Sequence, residues 1–367
     1  KHWSRGLGDV YKRQITYSGS PYTYTKSQFT FAVHSPTANG GPVTSWSISP
    51  LLPSGMSFDT STGEISGVPT IISPTTTYTI TATNSGGSDT TQIQITVNDE
   101  VPNINYTTSD IVGTINTPVN GIAVTNSGGD VVSWSVSPAL PSGLTIDSTG
   151  AIGGTPTVIS PLTVYTVTAT NTGGTSTDTV TIQVNDVIPS LVSYSPSSFT
   201  ETRDSSMTAV TPTSEGGTVV SWSIDPALPT GINLDATTGE ISGTPTVISS
   251  FTTYTITATN TGGSATTTID ITVNDIIPSL VSYSPSSFTE TKGIAMTAVS
   301  PSSSGGPVVS WSISPGLPTG LSIDTSTGEI SGTPTILSSL TTYTITATNS
   351  GGSATTTIDI TVNDVAP

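Results

Sequence analysis

The chain has no cysteine among its 367 residues. Small exported domains often rely on disulfides, so the stability of this protein must come from packing or from a bound ion. No apolar run approaches the roughly 20 residues of a membrane-spanning helix, and no signal peptide is visible. Neither a disulfide scaffold nor a membrane-inserted segment is therefore expected.

Charged side chains are also scarce, at 8% of residues, where about 25% is usual. The chain has 7 basic and 24 acidic residues; residues 1–14 hold four of the basic ones and a single acid, which leaves 3 and 23 in residues 15–367. A body this acidic repels phosphate backbones and has no basic patch that could release counterions. Nucleic acid is thus excluded as an expected partner, and anionic membrane surfaces are disfavoured.

Histidine is limited to His2 and His34. Without histidine or cysteine, residues 101–367 cannot form the usual nucleophile–base pairs, and a zinc site fails for the same reason. Glycine pairs such as Gly216-Gly217 precede neither a helix nor a lysine, which argues against a phosphate-binding loop. The sequence therefore predicts no enzyme, no catalytic residue and no required cofactor.

Four tryptophans are present at a fixed period. Trp46, Trp134, Trp222 and Trp311 lie 88, 88 and 89 residues apart, each within a Ser-Trp-Ser phrase. A unit of this length folds by itself and does not need to stack on its neighbours. The period therefore predicts four separate small domains.

The repeat boundaries follow from the shared landmarks and give four repeats, first to fourth, at 15–100, 101–187, 188–276 and 277–367. Residues 1–14 do not fit the pattern, because Trp3 lies 43 residues before Trp46 and the local charge is positive. They are interpreted as an expression or sequencing artefact, with a functional basic arm as the alternative. The chain stops where each earlier copy passes into the next, so we expect a fragment of a longer array.

Apolar and polar residues alternate within each repeat, as in 309–314, 343–348 and 358–362 of the last copy. Period two with one apolar face is typical of half-buried antiparallel strands, and turns rich in glycine and proline separate the runs. Counting runs gives about seven short strands per copy. The predicted fold class is all-β, a tandem array of four immunoglobulin- or cadherin-like β-sandwich domains. Each tryptophan shares a face with Val and Ile, which predicts a core anchor; an exposed sugar-stacking platform is the alternative.

The last copy reads Asp-Thr-Ser-Thr-Gly-Glu-Ile-Ser-Gly-Thr-Pro at 324–334, Tyr-Thr-Ile-Thr-Ala-Thr-Asn at 343–349 and Thr-Val-Asn-Asp at 361–364. This series resembles the immunoglobulin-like repeats of bacterial surface and secreted proteins, which are similar to dystroglycan-type cadherin-like domains. The resemblance covers residues 15–367 and implies the fold and an extracellular, cell-surface location, without implying an activity. The carboxylates of Asp324 and Glu329 flank a turn, where a solvated role is expected in preference to catalysis.

The cadherin likeness also implies a possible metal site, because cadherins bind calcium between successive domains through a linker of the form Asp-x-Asn-Asp-x-x-Pro. In this chain the Asn-Asp and the proline persist, whereas the first Asp is Thr or Gln. An early glutamate ligand persists in the third and fourth repeats, 21 residues before the tryptophan; Thr25 and Gly113 stand there in the first two. The candidate calcium ligands are Asn98, Asp99, Asn185, Asp186, Asn274, Asp275, Glu201 and Glu290.

Calcium requires six to eight oxygen ligands, usually with several carboxylates. The donors available here would reach that number only with waters, so a weak site is expected. The alternative is that Asn-Asp caps the last strand as a turn and that the proline stiffens the linker.

Three functions fit these observations. The first is a structural stalk or adhesin segment that spaces a distal domain from a bacterial cell, favoured because residues 188–202 and 277–291 are identical. The second is adhesion by the repeats themselves to a protein, a glycan or another copy, although their loops lack the aromatic and arginine clusters of binding hot spots. The third is an accessory module of an exported hydrolase. The expected partners are further repeats and an unknown surface ligand or none.

Overall fold

A computed structural model describes residues 14–29 and 33–366. The chain divides into two compact units, Lys1–Asn185 and Asp186–Pro367. Within the described ranges no helix is long and apolar enough to cross a bilayer. The proposed tail at residues 1–14 lies outside the described residues except for Gln14, which begins the first strand.

The first unit holds the first and second repeats. Its strands are β1 (Gln14–Thr16), β2 (Tyr22–Thr25), β3 (Thr37–Asn39), β4 (Ser45–Ser49), β5 (Met56–Phe58), β6 (Ile65–Gly67), β7 (Ser73–Asn84), β8 (Gly87–Asn98), β9 (Ile104–Tyr106), β10 (Asp110–Thr114), β11 (Val119–Ile122), β12 (Val124–Asn126), β13 (Ser133–Ser137), β14 (Leu144–Ile146), β15 (Ile152–Gly154), β16 (Ser160–Asn171) and β17 (Gly174–Asn185).

The second unit holds the third and fourth repeats. Its strands are β18 (Ser190–Ser193), β19 (Ser198–Thr202), β20 (Thr213–Glu215), β21 (Ser221–Asp225), β22 (Ile232–Leu234), β23 (Ile241–Gly243), β24 (Ser249–Asn260), β25 (Gly263–Asn274), β26 (Ser279–Ser282), β27 (Ser287–Thr291), β28 (Met296–Val299), β29 (Ser302–Ser304), β30 (Ser310–Ser314), β31 (Leu321–Ile323), β32 (Ile330–Gly332), β33 (Ser338–Asn349) and β34 (Gly352–Asn363).

Each repeat has a four-stranded main sheet in which a short edge strand runs parallel to the last long strand and the other pairs are antiparallel. The strand orders are β2-β8-β7-β4, β10-β17-β16-β13, β19-β25-β24-β21 and β27-β34-β33-β30. Shorter strands form the second layer. The all-β prediction with four immunoglobulin-like domains is confirmed, and each domain has its own apolar core.

The repeats show eight or nine strands instead of about seven, because the first strand is divided between the two layers. In the third repeat β18 pairs with β20 in the small sheet, whereas β19 pairs with β25 in the main sheet. The residues between them turn the chain from one layer to the other. A run count from the sequence cannot detect this division, since both halves carry the same alternating pattern.

The long central strands form because threonine alternates with larger apolar residues. In β24 the side chains of Tyr254, Ile256 and Ala258 are buried, while the threonines between them face outward. β-Branched threonine suits this pleated surface and leaves the outer face uncharged. The sequence alternation therefore determines which face of the sheet carries the core.

The prediction of a core anchor is confirmed for Trp46, Trp222 and Trp311, which are 6 to 7% exposed. Trp134 of the second repeat is only half-buried. In the other three repeats a proline ten residues earlier lies against the same glycine as the indole ring, as Pro212 does at Gly239. The second repeat has Val124 at that position.

Candidate functional site

The junction between the third and fourth repeats is held by the β33–β34 hairpin tip of the fourth repeat. The Asp275 N–H donates to Ser350 Oγ at 2.9 Å, and Asn349 Nδ2 donates to the Ile276 carbonyl at 2.8 Å. Gly351 lies so close that a Cβ there would be 2.0 Å from the Asp275 carbonyl oxygen. The linker is therefore bound along its length by the next repeat, and only glycine allows this approach.

The side chain of Asp275 is bound by the preceding repeat. Arg203 Nη2 lies 2.8 Å from Asp275 Oδ1, and the Asp275 side chain is only 7% exposed. The Arg203 N–H donates to the Asn274 carbonyl at 2.8 Å, which places the arginine at the end of β25. Asp275 thus bonds to the third repeat through its carboxylate and to the fourth through its main chain.

The first unit repeats this arrangement at the junction of the first and second repeats. The Asp99 N–H donates to Thr172 Oγ1 at 2.9 Å, and Asn171 Nδ2 donates to the Glu100 carbonyl at 2.6 Å. Lys26 Nζ lies 3.5 Å from Asp99 Oδ1. Lys26 thus occupies the position of Arg203, and its nitrogen lies farther from the aspartate oxygen than that of Arg203 does.

The linker that begins at Asp186 is bound in the same way by the hairpin of the third repeat. The Asp186 N–H donates to Thr261 Oγ1 at 2.9 Å, and Asn260 Nδ2 donates to the Val187 carbonyl at 2.7 Å. Within the first unit, the residue that corresponds to Arg203 is the uncharged Ile115, whose N–H donates to the Asn185 carbonyl. The hairpin contact therefore recurs at every linker, whereas the cation does not.

The three basic residues of 15–367 occupy equivalent positions in their repeats, directly after the edge strand of the main sheet. Lys26, Arg203 and Lys292 each follow the edge strand directly, and each N–H donates to the carbonyl of the terminal asparagine of the last long strand. Sequence reasoning missed this role. The signal was available, because three basic residues at equivalent positions in an otherwise acidic array is a non-random distribution. The buried asparagines of the hairpins, Asn171, Asn260 and Asn349, were missed likewise.

The predicted calcium ligands lie at the ends of the long strands and in the linkers. Asn98, Asn185 and Asn274 each end a strand and accept a main-chain hydrogen bond through the carbonyl. Asp275 Oδ1 already accepts from Arg203 and from the Ile276 N–H at 2.8 Å. A donor set that holds a fixed cation fits calcium poorly at this junction. Among the residues described, no group of three or more His, Asp or Glu side chains could hold a metal ion. Calcium binding stays a prediction.

Glu201 and Glu290, the two glutamates among the candidate calcium ligands, lie on the edge strands β19 and β27. Glu201 pairs in register with the buried Val273, and on β19 it shares the inner face with Phe199. Glu290 has the same position on β27. Both line clefts at the open side of their sandwich. The residue equivalent to them in the first repeat is Tyr24, which pairs with Val97, and not Thr25. The first repeat has one extra residue between this position and its tryptophan. A count of 21 residues back from Trp46 therefore reaches Thr25 instead of Tyr24.

Asp324 caps the turn that it flanks together with Glu329. Its Oδ1 accepts from the Ser326 hydroxyl and from the N–H groups of Ser326 and Thr327, at 2.6 to 3.1 Å. These bonds, the Ser326 hydroxyl first, lower the pKa of Asp324. The carboxylate of Asp324 therefore stabilises the turn through Oδ1.

Residues 13–98, 101–185, 189–274 and 278–363 match the family model described as "Putative Ig domain". Over 211 residues the chain is 35% identical to the "Serine-rich adhesin for platelets" of Staphylococcus aureus strain MRSA252, a match that spans 53% of this chain and 14% of the relative. The protein of the same name from strain MW2 is also 35% identical over 211 residues, with 8% of its length covered. The match thus covers a small part of these long relatives.

Solved structures with tandem domains are also similar. The four N-terminal Ig domains of Dscam1 isoform 1.9 have a TM-score of 0.31 at 13% identity, with 95% of this chain and 99% of that chain covered. The extracellular domain of protocadherin GammaB4 has a TM-score of 0.27 at 17% identity, with 95% and 67% covered. Because both scores are below 0.5, the arrangement of domains in those proteins implies nothing about this chain.

Proposed function

Because this chain belongs to the immunoglobulin-like family described as "Putative Ig domain", which matches all four repeats, we propose that it is a non-enzymatic segment of an extracellular bacterial surface protein that spaces a distal domain from the cell. Fold alone does not imply function, so the proposal depends on the junctions. The observation that carries it is the binding of each linker by the hairpin of the following repeat.

A spacer must resist bending where one domain meets the next. Asp275 is bonded to Arg203 on one side and to Ser350 on the other, so rotation about the linker would break an ion pair of low exposure and a main-chain hydrogen bond. Breaking a buried or nearly buried ion pair leaves an uncompensated charge, which is strongly unfavourable. These contacts support a junction with one preferred angle.

The absence of cysteine allows a direct test by electron-spin distance measurement. Thr268→Cys and Thr357→Cys place spin labels on equivalent exposed positions of β25 and β34. We expect a narrow distance distribution across this junction. The control inserts a flexible Gly-Ser segment between Asp275 and Ile276, which should broaden the distribution. A broad distribution before the insertion would contradict a spacer role.

Adhesion by the repeats themselves is the second candidate, supported by the similarity to the staphylococcal "Serine-rich adhesin for platelets". It predicts that beads coated with the purified array aggregate with one another or attach to a host-protein surface. Beads coated with the same array after thermal unfolding serve as the control. Complete inertness of the coated beads would argue against this candidate and leave the spacer proposal unaffected.

A further inference from the structure

Each of the last two repeats contains a cleft at the open side of its sandwich. The cleft has a volume of about 430 Å³ in the third repeat and about 520 Å³ in the fourth. One wall is the edge strand of the main sheet, β19 or β27. The other is the segment that follows it, which in the third repeat bonds to the small sheet through Met207 and Val210. The cleft is therefore bounded by both layers.

Five equivalent positions carry the same residue types in the two clefts. In the third repeat a carboxylate, Glu201, stands beside the buried ring of Phe199, with the hydroxyls of Ser195 and Thr208 and the aliphatic Val210 around them. In the fourth repeat Glu290, Phe288, Ser284, Thr297 and Val299 take the same places. One negative charge, a few hydroxyls and an apolar floor thus recur in two copies.

The carboxylates of Glu201 and Glu290 accept no side-chain or main-chain hydrogen bond and form no ion pair with any described residue. They are half-buried and lie on the inner face of their strands, opposite to the outward threonines. A carboxylate turned toward a protein interior loses hydration and is favourable only with a compensating partner. The partner that complements a carboxylate in such a cleft is a cation.

The first two repeats show that the fold does not require this carboxylate. In the first repeat, Tyr24 stands at the position of Glu201 and His34 at that of Val210, and their ring centroids are 6.0 Å apart. The His34 ring also stacks on Tyr22 at 3.8 Å. In the second repeat the position is Gly113, where a Cβ would be 3.1 Å from Val119 Cγ2. The sandwich forms with aromatic rings or with no side chain at all at this position, so the fold does not require the glutamates.

We propose that the clefts of the third and fourth repeats bind cationic side chains, lysine or arginine, presented by a partner protein. The aliphatic stem of such a side chain suits the Phe and Val floor, and its charged end pairs with the glutamate. The chain offers 23 acidic against 3 basic residues in 15–367, which attracts a basic partner at long range. The site is independent of the spacer role and is tested separately from it.

The three methionines of the chain provide a probe in each relevant repeat. Met296 lines the cleft of the fourth repeat, Met207 occupies the equivalent position in the third, and Met56 lies in the first. With ¹³C-methyl methionine, the full chain is titrated with N-acetyl-lysine methylamide and N-acetyl-arginine methylamide. The neutral controls are the Nε-acetylated lysine compound and the citrulline compound. We expect the Met207 and Met296 signals to shift with the cationic compounds only, and the Met56 signal to stay.

The matched variants assign the effect to single carboxylates. Glu201→Gln should weaken binding at Met207 at least about tenfold, the scale of one charge-assisted hydrogen bond, and leave Met296 unchanged. Glu240→Gln, at another acid of the third repeat, should change neither signal. The proposal is overturned if the neutral compounds shift the signals equally, or if Glu201→Gln retains the Met207 shift. It is also overturned if no shift occurs. Self-association of Glu201→Gln in that case would show that the inward charge on the edge strand prevents pairing between chains.

Discussion

Arg203 Nη2 lies 2.8 Å from Asp275 Oδ1, and this ion pair joins the edge strand of the third repeat to the linker that the fourth repeat binds. The Asp275 side chain is 7% exposed, which places its charge in a poorly hydrated site. The guanidinium supplies the positive charge that such a carboxylate needs, from within the chain itself. The junction therefore has its own fixed cation.

Removal of that cation should destabilise the junction. For Arg203→Gln we expect a loss of about 1 to 3 kcal/mol in the free energy of unfolding of the third repeat, below the range for a fully buried pair because the arginine is partly exposed. Calorimetry of the full array measures it. Lys292→Gln is the control, since Lys292 forms no ion pair with a described residue. Equal effects of the two substitutions would contradict the role assigned to Arg203.

Replacement of Gly351 by any other residue should destabilise the protein. A Cβ at this position would lie 2.0 Å from the Asp275 carbonyl oxygen, so Gly351→Ala must displace the linker. We expect a destabilisation of about 1 to 3 kcal/mol. Gly316→Ala is the matched control, because no atom lies within 4 Å of the place that a Cβ would take. This substitution should change the free energy of unfolding little. Urea denaturation of both variants measures the difference. Similar midpoints would contradict the expectation, because they would show that the linker moves aside without a loss of stability.

Trp222 should contribute to the stability of the third repeat and not to that of the other repeats. Truncation of a buried tryptophan to alanine typically costs about 3 to 5 kcal/mol, a large part of the stability of a small domain. Trp222→Ala should therefore move one calorimetric transition and leave the others in place, because the four cores are separate. Val220→Ala, at a side chain 66% exposed, should leave the profile unchanged. An unchanged profile for Trp222→Ala would refute its place in the core.

The buried tyrosines predict a loss of stability at alkaline pH. Burial raises the pKa of Tyr283 to about 12, and burial, with the charges of Asp178 and Asp147, raises the pKa of Tyr106 to about 12. In the unfolded chain a tyrosine titrates near pH 10, so above that value ionisation favours the unfolded state. The stabilisation is complete below about pH 10 and is lost between about pH 10 and 12. Urea denaturation across that range measures it.

Tyr283→Phe supplies the control for this pH dependence, since phenylalanine does not titrate. It should lower stability at neutral pH by about 0.5 to 1.5 kcal/mol, because the hydrogen bond to the Gly328 carbonyl is lost. Its further loss between about pH 10 and 12 should be smaller than that of the unmodified chain. An identical alkaline slope in both proteins would rule out Tyr283 as a contributor.

Chelation of divalent cations should not alter the junction of the third and fourth repeats. Arg203 and the Ile276 N–H already bind Asp275 Oδ1, so a metal at that oxygen would have to displace them. We expect the same melting profile with an excess of calcium and with a chelator. Arg203→Gln is the informative comparison, because it frees the carboxylate. A chelator-dependent shift of the unmodified chain would contradict this expectation.

Much of the fold could be predicted from the sequence because the governing patterns are local. The alternation of Tyr254, Ile256 and Ala258 with threonine defines a strand and its buried face, and the tryptophan period defines the four domains. Each pattern is completed within a few residues or repeated along the chain. Such patterns do not depend on which strands finally meet, and the sequence alone therefore determined domain number, fold class and core.

Only the tertiary structure decided the sites. Arg203 and Asp275 are 72 residues apart and meet because β19 pairs in parallel with β25 in one register. The same register turns Glu201 inward, whereas the sequence pattern groups it with Asp275 as a calcium ligand. Strand pairing has a period of two, so a shift of one residue reverses every side chain, as Tyr24 and Thr25 illustrate. Long-range register is a property of the packed sandwich, and no local pattern determines it.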